Sequence, residues 1–263
     1  MSLISAIRGI ARKPVVRKII WSPSRFIPQD AAIPILRGPL QGKRWIFHST
    51  FTSCWLGLYE YEKQELFRSL VKPGDVVFDV GANVGYYTLL AATLAGPSGT
   101  VCSFEPSPRN AAILRQHVSF NRLVNVEFHE AAVSDKDGEA FFDFGEMPEM
   151  GFLSDKGGCR VLTLCLDSLW RRSTGRLPNL IKIDVEGAEM QVLNGAIELI
   201  SNARPELLVA THSIELHEAV CGWMANHRYS TQILEDPYTP GPTKIGLGEI
   251  LARPIQPIDV PAA

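Results

Sequence analysis

The chain has 263 residues, 46% of them hydrophobic, enough to bury a sizeable core as one α/β domain with additions. A formal net charge of −2 lacks the basic surplus that nucleic-acid binding usually shows. The five cysteines are odd in number and form no C-x-x-C pair, which points to free thiols in a reducing, cytoplasmic compartment, and no stretch reaches the ~18 apolar residues of a membrane span.

In residues 1–18, Arg8, Arg12, Lys13, Arg17 and Lys18 interleave with Leu3, Ile4, Ile7, Ile10 and Val15, and the apolar core of a secretory signal is missing. Two readings stand for this arm: a peripheral membrane contact through residues 1–20, or a short packing arm in which Pro14 interrupts any long helix. Residues 21–58 read as an irregular cap with a strand or two, so the arm and cap together span 1–58. A helix is predicted over 60–70, with Lys63, Leu66, Phe67 and Leu70 on one face and Lys72-Pro73-Gly74-Asp75 stopping it.

Val76-Val77-Phe78-Asp79-Val80-Gly81-Ala82-Asn83-Val84-Gly85-Tyr86-Tyr87-Thr88 then reads as a buried strand, a tight turn and a helix start. In parallel α/β sheets this is where nucleotide-like ligands are held. Asp79, just before the glycines, would repel a pyrophosphate but attract a ligand carrying an ammonium and a sulfonium, such as S-adenosylmethionine (SAM). The next strand, 99–105, ends in Glu105-Pro106, and a carboxylate there can accept both hydroxyls of a ribose. NAD is disfavoured by Asp79 and by the lack of G-x-G-x-x-G.

Further elements follow in order. A helix is predicted over 109–121 and a third strand over 126–133. The runs 139–144 and 160–166 should pair as an inserted hairpin, with 145–158 as a substrate lid. A fourth strand spans 180–184, a helix 189–203, a fifth strand 206–211 and its helix the residues from Leu216 to Met224. The runs 229–234 and 246–253 fit a final antiparallel pair. The tail, 254–263, is Pro-rich and expected to be disordered.

Three segments resemble the signatures of the FkbM-type family of SAM-dependent methyltransferases: DVGANVGYYT from Asp79, FEPSPRN from Phe104, and LIKIDVEGAEMQVLNGA from Leu180. The resemblance runs from about Tyr59 to Leu234 and supports a methyltransferase domain over 59–253. It implies a class I methyltransferase (Rossmann-like) fold, a mostly parallel seven-stranded sheet with helices on both faces. It also implies O-methylation of a hydroxyl on a sugar, glycan or natural product, with SAM as cofactor and S-adenosylhomocysteine (SAH) as product. Carried onto this sequence, Glu60 or Tyr59 would approach the methionine end of SAM.

The candidate cofactor residues are Glu60, Asp79, Gly81, Asn83, Gly85, Tyr87, Thr88, Glu105, Pro106, Ala131, Ala132 and Asp184. Asn83 tolerates the unusual φ of the turn, Thr88 lies in the first helical turn near a bound carboxylate, and Ala131-Ala132 leave room for adenine. The catalytic candidates are His212, Glu186 and Asp184. Methyl transfer from a sulfonium mainly needs an aligned acceptor oxygen and a base for its proton, and His212 titrates in the right range. The plainer readings are a structural histidine capping the helix at 213–218 for His212, and a helix N-terminal acid for Glu186. Asp167 is expected to cap a helix.

No metal is assigned from the sequence. Asp184, Glu186 and His212 become a ligand set for Mg²⁺ or a transition ion only if two strand ends converge. A SAM-binding protein without catalysis, and an NAD-dependent oxidoreductase, are the alternatives.

Overall fold

The computed structural model describes residues 27–144, 151–154, 156, 158–172, 176–234 and 248–255. The basic arm, most of the lid and nearly all of the tail lie outside the described residues. Two compact units divide the chain, Met1–Tyr59 and Glu60–Ala263. In the first, β1 (Ala32–Pro34) pairs antiparallel with β2 (Arg44–Ile46), and the short helix α1 (Thr52–Leu56) follows. Ile35, Leu40, Trp45, Ile46, Phe47 and Cys54 are its buried apolar residues.

The second unit begins with α2 (Tyr61–Leu70), β3 (Val76–Val80), α3 (Tyr86–Ala95), β4 (Thr100–Phe104), α4 (Pro108–Phe120) and β5 (Val126–His129). Next come β6 (Ala132–Val133), β7 (Gly138–Asp143), β8 (Phe152–Ser154), β9 (Cys159–Leu164) and α5 (Leu166–Arg172). It closes with β10 (Leu180–Ile183), α6 (Glu189–Asn194), α7 (Ile197–Ala203), β11 (Glu206–Thr211), α8 (Ile214–Asn226), β12 (Tyr229–Leu234) and β13 (Gly248–Pro254).

The central sheet has seven strands in the order β12-β13-β11-β10-β3-β4-β5. Those from β5 to β11 run parallel, and β13 pairs antiparallel with both β11 and β12. Chain order reverses between β3 and β10, the switch point at which open α/β sheets bind ligands beyond the carboxyl ends of their strands.

Strand alternation sorts the side chains. Phe78, Val80, Phe104, Ile181, Ile183, Leu207 and Val209 form one face, packed against Val192, Leu199, Val220, Trp223 and Met224 of α6 to α8. On the other face the register sets Lys182, Asp79 and Ser103 side by side, and Thr88 of α3 reaches both Asp79 and Ser103. The predicted hairpin is present, β7 pairing antiparallel with β9, and β6 and β8 extend it into a four-stranded sheet.

Two expectations are corrected. The strand read over 126–133 ends at His129; Ala132 and Val133 leave the central sheet to pair with Thr163 and Leu164. The helix read over 189–203 breaks at Gly195-Ala196 into α6 and α7. At the break the Gly195 carbonyl accepts from the Asp167 N–H at 2.9 Å and from the Cys165 thiol at 3.1 Å. A Cβ on Gly195 would sit 2.2 Å from the Ser134 carbonyl oxygen, so only glycine permits this close approach. Asp167 does cap a helix, but not its own: its carboxylate accepts from the N–H groups of Glu198 and Leu199 at the start of α7.

Candidate active site

The turn from β3 to α3 places Gly81, Asn83 and Gly85 at φ of 76°, 51° and 91°. Gly81 must be glycine, because a Cβ there would lie 1.8 Å from the Asp184 carbonyl oxygen. This contact holds the turn against the end of β10. Glu105, just past β4, accepts from the Asn83 N–H and the Ser107 N–H, both at 2.8 Å. Burial pushes its carboxyl up to about 7, against those hydrogen bonds and one from Asn110. The two segments read separately from the sequence are thus joined through one carboxylate.

Asp79 and Thr88 have a more internal role than the sequence implies. Asp79 is fully buried, its Oδ2 accepting from Thr88 Oγ1 at 2.6 Å and its Oδ1 lying 3.3 Å from Lys182 Nζ. The carboxylate that Thr88 meets is therefore that of Asp79. Asp79 is the counter-charge that Lys182, a lysine in a buried strand, requires. The more open acids beside the turn are Asp184 and Glu60. Glu60 is held at φ 41° and accepts from the Tyr87 hydroxyl at 2.7 Å, with Lys63 Nζ 3.5 Å away. Tyr59 closes the other unit, whereas Ala131 and Ala132 are buried past β5 and Pro106 is half-buried.

Lys63 also pairs with Glu249 of β13 and lies 3.9 Å from Asp184 Oδ2. Burial opposes its charge, yet Glu249, Glu60 and Asp184 together hold its pKa above the ordinary lysine value. Lys182 Nζ stands 3.7 Å from the same Oδ2. Burial alone would raise the Asp184 pKa, but the two lysines and His212 bring it below the usual carboxylate value.

The other oxygen of Asp184 faces a different group. His212 Nε2 lies 3.6 Å from Asp184 Oδ1 and 3.3 Å from Glu186 Oε2. The strand ends do converge, and one ligand atom from each of the three residues lies within 4.8 Å of the others. Glu186 reaches inward from a left-handed position, φ 53°, a conformation that costs a non-glycine residue energy and tends to mark functional sites. His212 does not cap α8, because Ser213 does so by accepting from the Leu216 N–H. Instead His212 Nδ1 bonds Glu189 Oε1 at 2.9 Å. Burial lowers the His212 pKa, but Glu189, Asp184 and Glu186 outweigh it and raise the value overall, whereas burial raises that of Glu186.

Lys63, Lys182, Glu189 and Glu249 are the members of this site that the sequence reading leaves unassigned. Lys182 and Glu189 sit inside the third signature segment, and a charge within the strand sequence LIKI is a visible signal. Glu249 gives none, since its partner Lys63 is remote in sequence.

Residues 79–231 match the family described as "Methyltransferase FkbM domain". The chain belongs to the FkbM methyltransferase family. Over 68 residues it is 46% identical to the 31-O-demethyl-FK506 methyltransferase FkbM of Streptomyces tacrolimicus, covering 26% of this chain and 25% of that one. Over 176 residues it is 26% identical to the hexuronic acid methyltransferase AglP of Haloferax volcanii, covering 65% and 71%. The match thus spans a quarter of the first relative and just over two thirds of the second. The crystal structure of methyltransferase FkbM from Methylobacillus flagellatus shares the fold, with a TM-score of 0.50 at 16% identity over 78% of this chain and 55% of that one.

Proposed function

We propose that this FkbM-family methyltransferase transfers the methyl group of SAM to a hydroxyl of a sugar, glycan or natural product. The convergence of Asp184, Glu186 and His212 beyond the switch point, beside the Gly81–Gly85 turn, carries the reading. The donor set suits SAM. Glu105 can meet a pair of ribose hydroxyls, the small Ala131 and Ala132 leave space for a base, and the open carboxylates of Glu60 and Asp184 favour a cationic methionine end. SAM supplies an already activated methyl on a sulfonium.

The work left to the chain is to hold the acceptor oxygen in line and to provide for its proton. In the overall reaction the S–CH₃ bond breaks, an O–CH₃ bond forms, SAH departs and one proton is released. His212, Glu186 and Asp184 are the groups proposed to meet the hydroxyl. One relative is named a hexuronic acid methyltransferase, which favours a glycosidic acceptor, and another, NoeI of Sinorhizobium fredii, is named a 2-O-methyltransferase, which favours oxygen as the methylated atom.

His212→Ala should lower turnover on a glycoside or uronate bearing the free acceptor hydroxyl by roughly 10²-fold or more while SAH affinity stays within a few-fold. Near-wild-type turnover would remove His212 from the chemistry.

A further inference from the structure

Asp184 Oδ1 and Glu186 Oε2 both lie close to His212 Nε2, and all three are acceptors once His212 carries its proton on Nδ1. That tautomer is set by Glu189, which is fully buried and accepts on Oε1 from Nδ1, with the Gly187 N–H donating to the same oxygen at 3.2 Å. The other oxygen of Glu189, Oε2, has no hydrogen-bond partner among the described residues. A buried carboxylate behind the imidazole is the usual outer support of a metal-bound histidine.

Asp184 is built in the same way. Its Oδ2 faces Lys182 and Lys63 at 3.7 and 3.9 Å, which leaves Oδ1 for the centre. With His212 neutral, these three lone-pair atoms repel one another, and a cation between them relieves that repulsion. The spacing suits one: ligand atoms about 2.1–2.4 Å from a single ion stand roughly 3.0–3.8 Å apart when adjacent and up to about 4.8 Å when opposite. The separations here, 3.3 and 3.6 Å with one ligand atom of each residue within 4.8 Å of the others, fall in that range. Two carboxylates and a neutral imidazole match a divalent charge and the borderline chemistry of Mn²⁺ or a similar first-row ion.

We propose that Asp184, Glu186 and His212 bind one divalent cation, with Glu189 as the residue that positions His212. All three ligands are only partly buried, with about 30% of each side chain exposed, so an outside oxygen can complete the coordination. The role of the cation rests on the O-methyltransfer reading. Ligation lowers the pKa of the acceptor hydroxyl, its proton goes to solvent, and the oxygen takes the methyl group as the S–CH₃ bond breaks.

The test is calorimetric titration of the chelator-treated full chain with MnCl₂, with SAH titrated into the same preparation. The expected result is one saturable Mn²⁺ site per chain. It should weaken about 10- to 100-fold in Glu189→Gln, which removes no ligand, and disappear in Asp184→Asn/Glu186→Gln. Glu215→Gln, an acid on α8 outside the cluster, should leave it unchanged. Circular dichroism verifies that each variant is folded, and Glu189→Gln keeps the test open if the double variant is not. No saturable Mn²⁺ binding by the wild type, or equal binding in Glu189→Gln, overturns the proposal. If SAH still binds, the methyltransferase reading stands without the cation; if SAH also fails, that reading falls separately.

Discussion

Asp79 is bound on both carboxylate oxygens, by Thr88 on Oδ2 and by the charge of Lys182 on Oδ1. Its position at the end of β3 is as the sequence implies, but Lys182 and Thr88 enclose it completely. A sequence pattern names the acid, whereas strand register names its partner, and register is set by the whole sheet. The Asp79→Ala variant should therefore destabilise the fold by about 3–5 kcal/mol, because Lys182 is left as a buried uncompensated charge. In urea unfolding, Asp79→Ala/Lys182→Met should recover much of that loss. A single variant as stable as wild type would contradict the pairing.

Glu105 carries a pH signature. Its carboxyl is raised from the ordinary 4.5 to about 7, so folding favours the protonated form. That contribution is complete below the unfolded value and is lost as pH rises through the folded one. Glu105→Gln stays neutral throughout, so its melting temperature should gain on wild type between about pH 5 and pH 8. A constant difference across that window would show that the carboxyl is not buried as described.

At the level of elements, the strands and helices with a clear apolar period were legible, among them β3, β10, β11 and α4. The inserted hairpin was also legible, from its turn signal and alternation. The sequence misled where a backbone contact overrides local propensity. The stretch Glu189–Ala203 reads as one amphipathic helix, yet at Gly195 the chain turns to give its carbonyl to Asp167 and Cys165. Gly195→Ala should cost about 1–3 kcal/mol through the clash with the Ser134 carbonyl, and an unchanged denaturation midpoint would refute that contact. The strand at Val126 fails in the same way. Residues 126–133 read as one strand, but Ala132 and Val133 bond to β9 in another sheet.

For the whole molecule, seven strands with one reversal bring the ends of β3, β4, β10 and β11 to a common edge. Residues separated by a hundred positions, such as Asp79 and Lys182, become neighbours there. The third signature segment supplied Asp184 and Glu186 to the sequence reading; the carboxylate behind His212 needed the fold, because Glu189 and His212 belong to different elements. The match to the FkbM methyltransferase domain over residues 79–231 takes in all four of these strand ends. No helix among the described residues is long and apolar enough to cross a membrane.

We propose that this edge binds SAM for methyl transfer. Isothermal titration of the purified chain with SAM, with SAH and with NAD tests it most directly. Saturable micromolar binding of SAM and SAH, lost in Glu105→Ala, and no binding of NAD are the expected results. Binding of NAD in place of SAM, or SAM affinity untouched by Glu105→Ala, would contradict it.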